Sequence, residues 1–524
     1  MNLIEALKGV WRKMVKPKTV ESILHVTPTV SNKMKSAIEL WKNMYQDESP
    51  WITENVRSMG LPAMIASEKA RTATIEMNIK VTGDNERAVF MKDRIQKLVL
   101  ELREQLEYGV ALGGFVIKPY VTKDSDDKYT LDFTYTKADK FFPFSFSTDG
   151  NVTEAAFVDQ IITKDKTYSK LEYHKLVGTT LTVANYSFSL DNTGNTSNVH
   201  ALDCELGTPI PLTNIPEWAN IAPQVTIEGI KTPLFAYFKM PEANTVDLDS
   251  PLGASGFSRA VDLIKHADEI YSDLLWELEG SQLAVDVDRT AVNPILNPDG
   301  TYKEILPKLQ DRLFRRSLDL GTEETYNVFS PAIRDKSIIN TLNNQLMRIE
   351  DCCFLSRGTL SIVSTSEART ATELKILKQR SYAANQDIQK ELQSTLEAVF
   401  AIMDNYCDLY DIVPAGEYEV AYTWDDSILI DKDAERQQDL IEVNNGLMSR
   451  LEYRMKWYGE TEKQALKALA AIKKEQEDKM KMQLAFTMQQ QNESGGSTSD
   501  AQASVDEKQR AIESNETNEN NEEA

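Results

Sequence analysis

The 524-residue chain is poor in the residue types that build small chemical sites. Four cysteines, Cys204, Cys352, Cys353 and Cys407, are too few for a disulfide framework, and adjacent Cys352 and Cys353 do not readily bridge one another. A reducing compartment is the simpler reading. Only four histidines occur, His25, His174, His200 and His266, and none stands in a His-x-His, His-Glu-x-x-His or Cys-x-x-Cys spacing. A zinc site therefore lacks its ligands. Neither a G-x-x-x-x-G-K-[ST] phosphate loop nor a G-x-G-x-x-G turn is present, which argues against a built-in nucleotide motor. No apolar run approaches the roughly 18 residues of a membrane helix. Positive charge is also scarce: 58 Lys and Arg stand against 81 Asp and Glu, for a net charge of −23. A protein that grips nucleic acid by bulk charge is excluded, though light contact at a few local positions is not.

What is present is enough apolar sequence, 41%, to build a sizeable core, with length for about three structural units. The N-terminal MNLIEALKGVWRKMVK is amphipathic, with Leu3, Leu7, Val10, Trp11 and Met14 on one face. It lacks a continuous apolar region and a small-residue cleavage site, so it reads as a packed helix, not a secretory signal. Residues 1–118 read mostly helical. The strongest segment runs from about Arg87 to Val110, with Leu98, Leu102, Leu106 and Val110 at four-residue spacing. From Phe115 to about Tyr237 the period changes. FVIKPYV, YTLDFTY, AAFVDQIIT and TLTVANYSFSL alternate with turn clusters such as STDGN, which predicts an antiparallel β region.

A second helical region follows the polar turn MPEANTVDLDSPLGAS. The helix from about Phe257 to Gly280 carries an apolar stripe of Ile264, Ala267, Tyr271, Leu274 and Leu278. Asp262, His266, Glu269, Asp273 and Glu277 share the opposite side, with Trp276 at its edge. A solvated face is the ordinary reading of such acids. A tryptophan there points to a partner surface. Residues 281–330 are mixed: LAVDV is strand-like, NPDG a turn, and KLQDRLFRRSL reads as a short helix. A helix over 335–354 places Ile339, Leu342, Leu346, Ile349 and Cys353 in register. After the loop SRGTLSIVSTSEAR, Thr370-Ala-Thr-Glu373 forms a capping box. It opens a helix to about Tyr410, with Ile388, Leu392, Leu396, Val399, Met403, Tyr406 and Tyr410 on one stripe. At 1.5 Å per residue it spans about 60 Å, which suits a strut better than an enzyme core. EYEVAYTW reads as a strand, and three short helices follow over 432–444, 449–457 and 461–490, with stops at Gly446 and Gly459. The end of the chain, from Gln491, holds nine acids, two bases and no aromatics, the composition of a disordered acidic tail.

The weak motifs lose to plainer readings. Gly253-Ala-Ser255-Gly256 has its second glycine one residue too early for a nucleophile elbow, and a loop-to-helix turn explains it. Asp124, Asp126 and Asp127 lack EF-hand spacing. The charge distribution says more. Arg357, Arg369, Lys375, Lys378 and Arg380 meet only Glu367 and Glu373. Lys303, Lys308, Arg312, Arg315 and Arg316 meet only Glu304 and Asp311. These are two local basic runs in an acidic chain.

The order of these parts resembles the portal proteins of tailed phages, specifically siphoviruses of Gram-positive hosts. The resemblance rests on LPAMIASEKARTATIE (61–76), LEYGVALGGFVIKPYV (106–121), the segment from PLFAYFKMPEANTV to LLWELEGSQ (233–282), NVFSPAIRDKSIINTLNNQLMRIEDCCFLSRGTLS (327–361) and TSEARTATELK (365–375). It implies an α+β portal fold with a mixed α/β wing, a two-helix stem, a small α/β clip, a long spine helix and a helical crown, assembled as a ring of typically twelve subunits. Carried onto this chain, 1–256 is the N-terminal wing region, 257–280 and 335–354 are the stem helices, and 281–334 is the clip. The tunnel loop is 355–369, the wing spine helix and strand are 370–425, the crown is 426–490 and the tail is 491–524.

The implied role is a channel at one capsid vertex through which double-stranded DNA is packaged by the terminase, retained and ejected. The implied partners are further copies of the chain, the terminase large subunit, a head-completion or adaptor protein, and the major capsid and scaffolding proteins. No cofactor, metal, catalytic residue or membrane is implied, and the expected location is the virion, after assembly in the host cytoplasm. Arg357, Arg369, Lys375 and Lys378 become candidates for the DNA channel. Asp262, Glu269, Asp273 and Glu277 become a channel-lining acidic stem face, Trp276 an intersubunit contact, and Lys308, Arg312, Arg315 and Arg316 a clip docking surface, unless that run pairs with acids of the next clip. The alternatives are another virion structural protein and, further behind, a cytoplasmic hydrolase, for which no clustered constellation exists.

Overall fold

The structure is a computed structural model. It describes residues 20–24, 29–123, 127–148, 150–191, 206–281, 284–288, 294–296, 298–300, 302–304, 314–318, 326–329, 332–362, 371–424, 432–458 and 462–493. The expected N-terminal helix over 1–16, the Asp124 and Asp126 turn positions and the acidic tail beyond residue 493 lie outside these residues. Two units divide the chain, Met1–Leu429 and Ile430–Ala524.

The first unit opens with α1 (Val20–Leu24), α2 (Asn32–Tyr45) and α3 (Leu61–Thr74). The helix expected from the four-residue leucine spacing is α4, Glu86–Leu112, capped by Asn85, whose side chain accepts from the Ala88 N–H at 2.9 Å. Its stripe of Met91, Ile95, Leu98, Leu102, Leu106 and Val110 is fully buried and forms the centre of the main core. Between α3 and α4 lies β1 (Met77–Thr82), a strand in a region expected to be helical. Its partner is β16 (Glu419–Trp424), the predicted EYEVAYTW strand, paired antiparallel from Met77↔Trp424 to Thr82↔Glu419. Six residues whose partner lies so far along the chain give little local signal.

The predicted β region is present and antiparallel. β2 (Gly114–Lys123) and β3 (Tyr129–Lys137) form a sheet with β10 (Ala236–Lys239) in the order β10–β2–β3. β4 (Phe141–Phe146), β5 (Val152–Ile162), β6 (Lys166–Val177), β7 (Thr180–Asp191) and β8 (Thr208–Ile210) follow one another in a larger sheet, with β9 (Gln224–Glu228) also on β7. A charged cluster is built into it. Glu172 meets Lys118 and Lys170, each at 3.3 Å, and Nε2 of His174 at 2.8 Å. Burial pushes the Glu172 carboxyl up, but Lys118 beside it, with His174 and Lys170, outweighs that and holds it well below the ordinary carboxylate range.

The GASG turn has a structural role. The Gly256 N–H donates to the Val110 carbonyl at 2.8 Å, and the Met240 N–H donates to the Gly113 carbonyl at 3.1 Å. The last carbonyls of α4 are thereby satisfied from the 240–256 segment. That segment leads into α5 (Val261–Gly280), which pairs with α6 (Asp335–Cys352).

Between the two helices, β11 (Ala284–Asp288) is flanked by parallel β14 (Phe314–Leu318) and antiparallel β15 (Tyr326–Phe329), while β12 (Pro294–Leu296) pairs with β13 (Tyr302–Glu304). The short helix expected over KLQDRLFRRSL is corrected in its second half: FRRSL is a strand. Arg and Leu favour helix weakly, and a strand edge on β11 outweighs so small a preference.

The long helix is α7 (Ala371–Leu409), 39 residues and about 58 Å long. Ile388, Leu392, Leu396, Val399 and Met403 are buried along it as expected. Tyr410, expected on the same stripe, lies past the helix end and is exposed. Near that end Arg87 is buried, donating to Asp404 at 2.9 Å, Asp408 at 2.6 Å and the Val413 carbonyl at 3.0 Å.

The second unit holds α8 (Lys432–Asn444), α9 (Arg450–Tyr458) and α10 (Glu462–Glu493). Gly446, at φ +73, follows the end of α8 as predicted. Asp439 on α8 accepts from Trp457 Nε1 at 2.7 Å and pairs with Lys456 at 2.6 Å, joining α9 to α8. The third helix, at 32 residues, is not short.

Candidate functional site

The α5–α6 hairpin is rooted in the first unit and bare at its far end. At the root, Asp268 is buried and accepts from Trp51 Nε1 and the Met59 N–H, both at 2.9 Å. Burial raises its pKa against the pull of those two bonds. Gln345 donates to the Leu263 carbonyl at 3.0 Å and ties α6 to α5. Burial falls steadily outward. On α6, Ile349 is buried, Leu346 and Leu342 nearly so, and Ile339 is exposed. On α5, Ile264 and Ala267 are buried, whereas Trp276 is 69% exposed and Leu278, expected on the buried stripe, is exposed as well. Leu278 lies two residues before the end of α5, outward of every buried position on that helix.

The expected acidic face is only partly bare. Asp262 and Asp273 are exposed. Glu269 has His266 Nδ1 at 2.9 Å and Lys265 at 4.0 Å. Glu277 is committed to Arg334, which donates from Nε at 3.0 Å and Nη2 at 2.7 Å. That side-chain bond lowers the Glu277 pKa. The pair closes the base of the 281–334 insert, since Arg334 directly precedes α6.

Beyond α6 the chain folds back on the helix. The Leu355 N–H donates to the Glu350 carbonyl at 2.9 Å, with Phe354 in the left-handed region at φ +56. Glu350 itself is fully buried. Its Oε1 accepts from the N–H groups of Gly358 at 3.1 Å, Leu360 at 2.7 Å and Ser361 at 2.8 Å, and its Oε2 accepts from the Ser361 hydroxyl at 2.8 Å. Two turns earlier on the same helix, Asn343 accepts from the Ile362 N–H at 2.7 Å and donates to the Ile362 carbonyl at 3.0 Å. Residues 357–362 are thus clasped to α6 at two levels.

Neighbouring Asp351 binds Arg357 through Oδ2 and Arg380, on α7, through Oδ1 at 2.8 Å. Of the expected channel cations, Arg357 is therefore already paired, Lys375 and Lys378 lie on α7, and Arg369 lies outside the described residues. Arg315 and Arg316 lie on β14 opposite Val285 and Asp286, whereas Lys308 and Arg312 are outside. The sequence reading missed Glu350 and Asp351, because acids late in an amphipathic helix are normally solvated. The only available signal was the turn-rich SRGTLS immediately after them.

A helical hairpin, an insert with short strands between its helices, a loop clasped to the second helix and a long helix follow one another along the chain. The sequence profile of the family described as "Phage portal protein, SPP1 Gp6-like" matches residues 24–482. The chain belongs to this phage portal family. No individually curated protein matches it. The matched span begins within α1, takes in the sheets, the hairpin, the insert and the loop, and ends within α10. The mixed helix-and-sheet architecture agrees with the α+β portal fold. The portal family is structural and non-enzymatic. Among the described residues no group of three or more His, Cys, Asp or Glu could hold a metal ion, and no described helix is long and apolar enough to cross a membrane.

Proposed function

We propose that this portal protein closes into a ring, typically of twelve subunits, at one capsid vertex. There it is the channel through which double-stranded DNA is packaged, held and ejected. The observation that carries this is Trp276, 69% exposed toward the far end of the α5–α6 hairpin, with Leu278, Ile333 and Ile339 exposed as well. A single subunit leaves these apolar side chains in water, and a neighbouring hairpin in a ring would cover Trp276. Asp262, Glu269, Asp273 and Glu277 are read as the channel side of the stem. There a negative wall denies DNA the tight phosphate contacts that would stop it sliding. Arg357, Arg369, Lys375 and Lys378 are read as its sparse contacts with the backbone of passing DNA.

The work of translocation belongs to a terminase that hydrolyses ATP, and the portal itself is not an enzyme. The insert, with Lys308, Arg312, Arg315 and Arg316, is read as the docking surface for the terminase large subunit and later for an adaptor protein. Coat and scaffolding proteins are the assembly partners, and the portal vertex of a virion, reached from the host cytoplasm, is the location. Siphoviruses of Gram-positive hosts are the expected source class.

Native mass spectrometry with negative-stain imaging of the full-length protein tests the ring. The expected species has about twelve times the 59.2 kDa subunit mass and an axial hole. A closed particle without an axial channel would favour a different virion component. A monomer at high concentration, still monomeric with coat and scaffold protein added, would overturn the reading.

A further inference from the structure

Two consecutive carboxylates at the end of α6 hold the same loop in opposite ways. Glu350 is fully buried and surrounded by four donors, three of them backbone N–H groups. Releasing them would leave buried polar groups without partners, so this bond set is permanent on the scale of the fold. Asp351 is 43% exposed, and its two arginines, Arg357 and Arg380, are 30% and 54% exposed. Ion pairs at such exposure are weak, because water and salt compete for both partners. A phosphate oxygen competes at least as well, since the planar guanidinium fork matches phosphate and carboxylate alike. Arg357 lies within the proposed tunnel loop, 355–369, and Arg380 lies on α7 beyond it, so one carboxylate ties the start of the loop to the helix that follows.

We propose that Asp351 is a phosphate-yielding tie: it masks Arg357 and Arg380 when the channel is empty and gives them up to the phosphates of DNA passing beside it. This rests on the reading of residues 355–369 as the tunnel loop. Glu350 holds the backbone of 358–361 while Arg357 changes partner, so the exchange needs only side-chain rotation. Asp351, Arg357 and Arg380 carry one net positive charge, which Glu350 offsets with its Oε2 3.8 Å from Arg357 Nη1. A strand therefore meets a shallow site that it can leave, where two unmasked arginines would retain it.

The test uses assembled rings of the full chain and a short fluorescent DNA duplex, with affinity measured by anisotropy over a range of salt. D351N frees Arg380 and leaves Arg357 only its longer contact with Glu350 Oε2 at 3.8 Å. It is expected to bind several-fold more tightly, with the slope of log affinity against log salt steeper by about 0.9 for each arginine that gains a phosphate. Adding R357Q and R380Q to D351N must erase the gain, and D351E, which keeps the charge, must return affinity to the starting value. A photo-crosslinking residue at exposed Ile362 reports in parallel whether the duplex reaches this loop. Crosslinking with an unchanged D351N slope overturns the tie and leaves the channel reading intact. Absence of crosslinking overturns the channel reading and the tie with it. If D351N rings do not form, the R357Q/R380Q ring decides: its salt slope must fall below that of the unsubstituted ring, and an unchanged slope overturns the proposal.

Discussion

Gly113 and Gly253 occupy each other's side-chain space. A Cβ on Gly113 would stand 2.4 Å from the Gly253 carbonyl oxygen, and a Cβ on Gly253 would stand 2.0 Å from the Gly113 carbonyl oxygen. Both obstacles are backbone, so no rotamer relieves them. Gly113 also sits at φ +91, where an L side chain is strained. G113A and G253A are each expected to destabilise well beyond the ~1–2 kcal/mol that a left-handed alanine costs alone. G178A is the control, because Gly178 is left-handed at φ +64 but faces open space. Thermal unfolding of the three variants checks this, and equal melting temperatures would refute the close-packing argument.

Removal of the Glu350 carboxylate should loosen one segment specifically. E350A strips the acceptor from three backbone N–H groups and the Ser361 hydroxyl. The expected loss is about 3–5 kcal/mol if the segment stays in place, and less if it lifts off and hydrates. E350Q, with one acceptor oxygen left, should fall between. Amide hydrogen exchange distinguishes this from general damage: Gly358, Leu360 and Ser361 should lose protection before the α4 core. Retained protection at these three in E350A would show that the carboxylate does not hold them.

Trp276 separates folding from assembly. It is exposed in the subunit, so W276A should change subunit stability by no more than about 0.5 kcal/mol. If a neighbour covers it, its truncation should weaken the ring by about 2 kcal/mol or more per contact. Mass photometry on dilution reads the second quantity and chemical unfolding of dissociated subunits the first. A ring that resists dilution as before would remove Trp276 from the interface.

Acid should attack the larger sheet of the first unit through Glu172. Its folded pKa lies well below the ordinary value, so it stabilises the fold fully above its unfolded pKa of about 4.3. That stabilisation is lost as pH falls through this value toward the folded one. E172Q should be less stable at neutral pH, because Lys118, which is buried, loses its carboxylate. It should also show a shallower loss of stability below about pH 4.5. Denaturant unfolding of both proteins across that range checks the sign, and parallel curves would mean that Glu172 does not carry the dependence.

The sequence was legible where structure is local. Period located α4 and, with a capping box, α7, because one face of each is buried against a continuous core, and runs rich in β-branched and aromatic residues located β2, β3, β5 and β7 within the antiparallel region. It failed where a distant partner decides. MNIKVT at 77–82 and FRRSL at 314–318 are strands only because β16 and β11 offer them edges. The site was half legible. Arg357 stood out as a base in a turn, yet nothing in a single sequence shows that Asp351 already holds it. Glu350 was invisible for the same reason: the loop that buries it is brought there by the end of α6.

The pairing of β1 with β16 also sets the order of events during synthesis. Thr82 meets Glu419 across 337 positions of chain, and the α5–α6 hairpin, the insert and the clasped loop all lie between them. A ribosome has therefore released the stem, the insert and the clasped loop before this two-stranded sheet can form. Pairings of such long range are slow and leave edges open meanwhile. Subunits truncated before residue 419 emerge with that edge unmet.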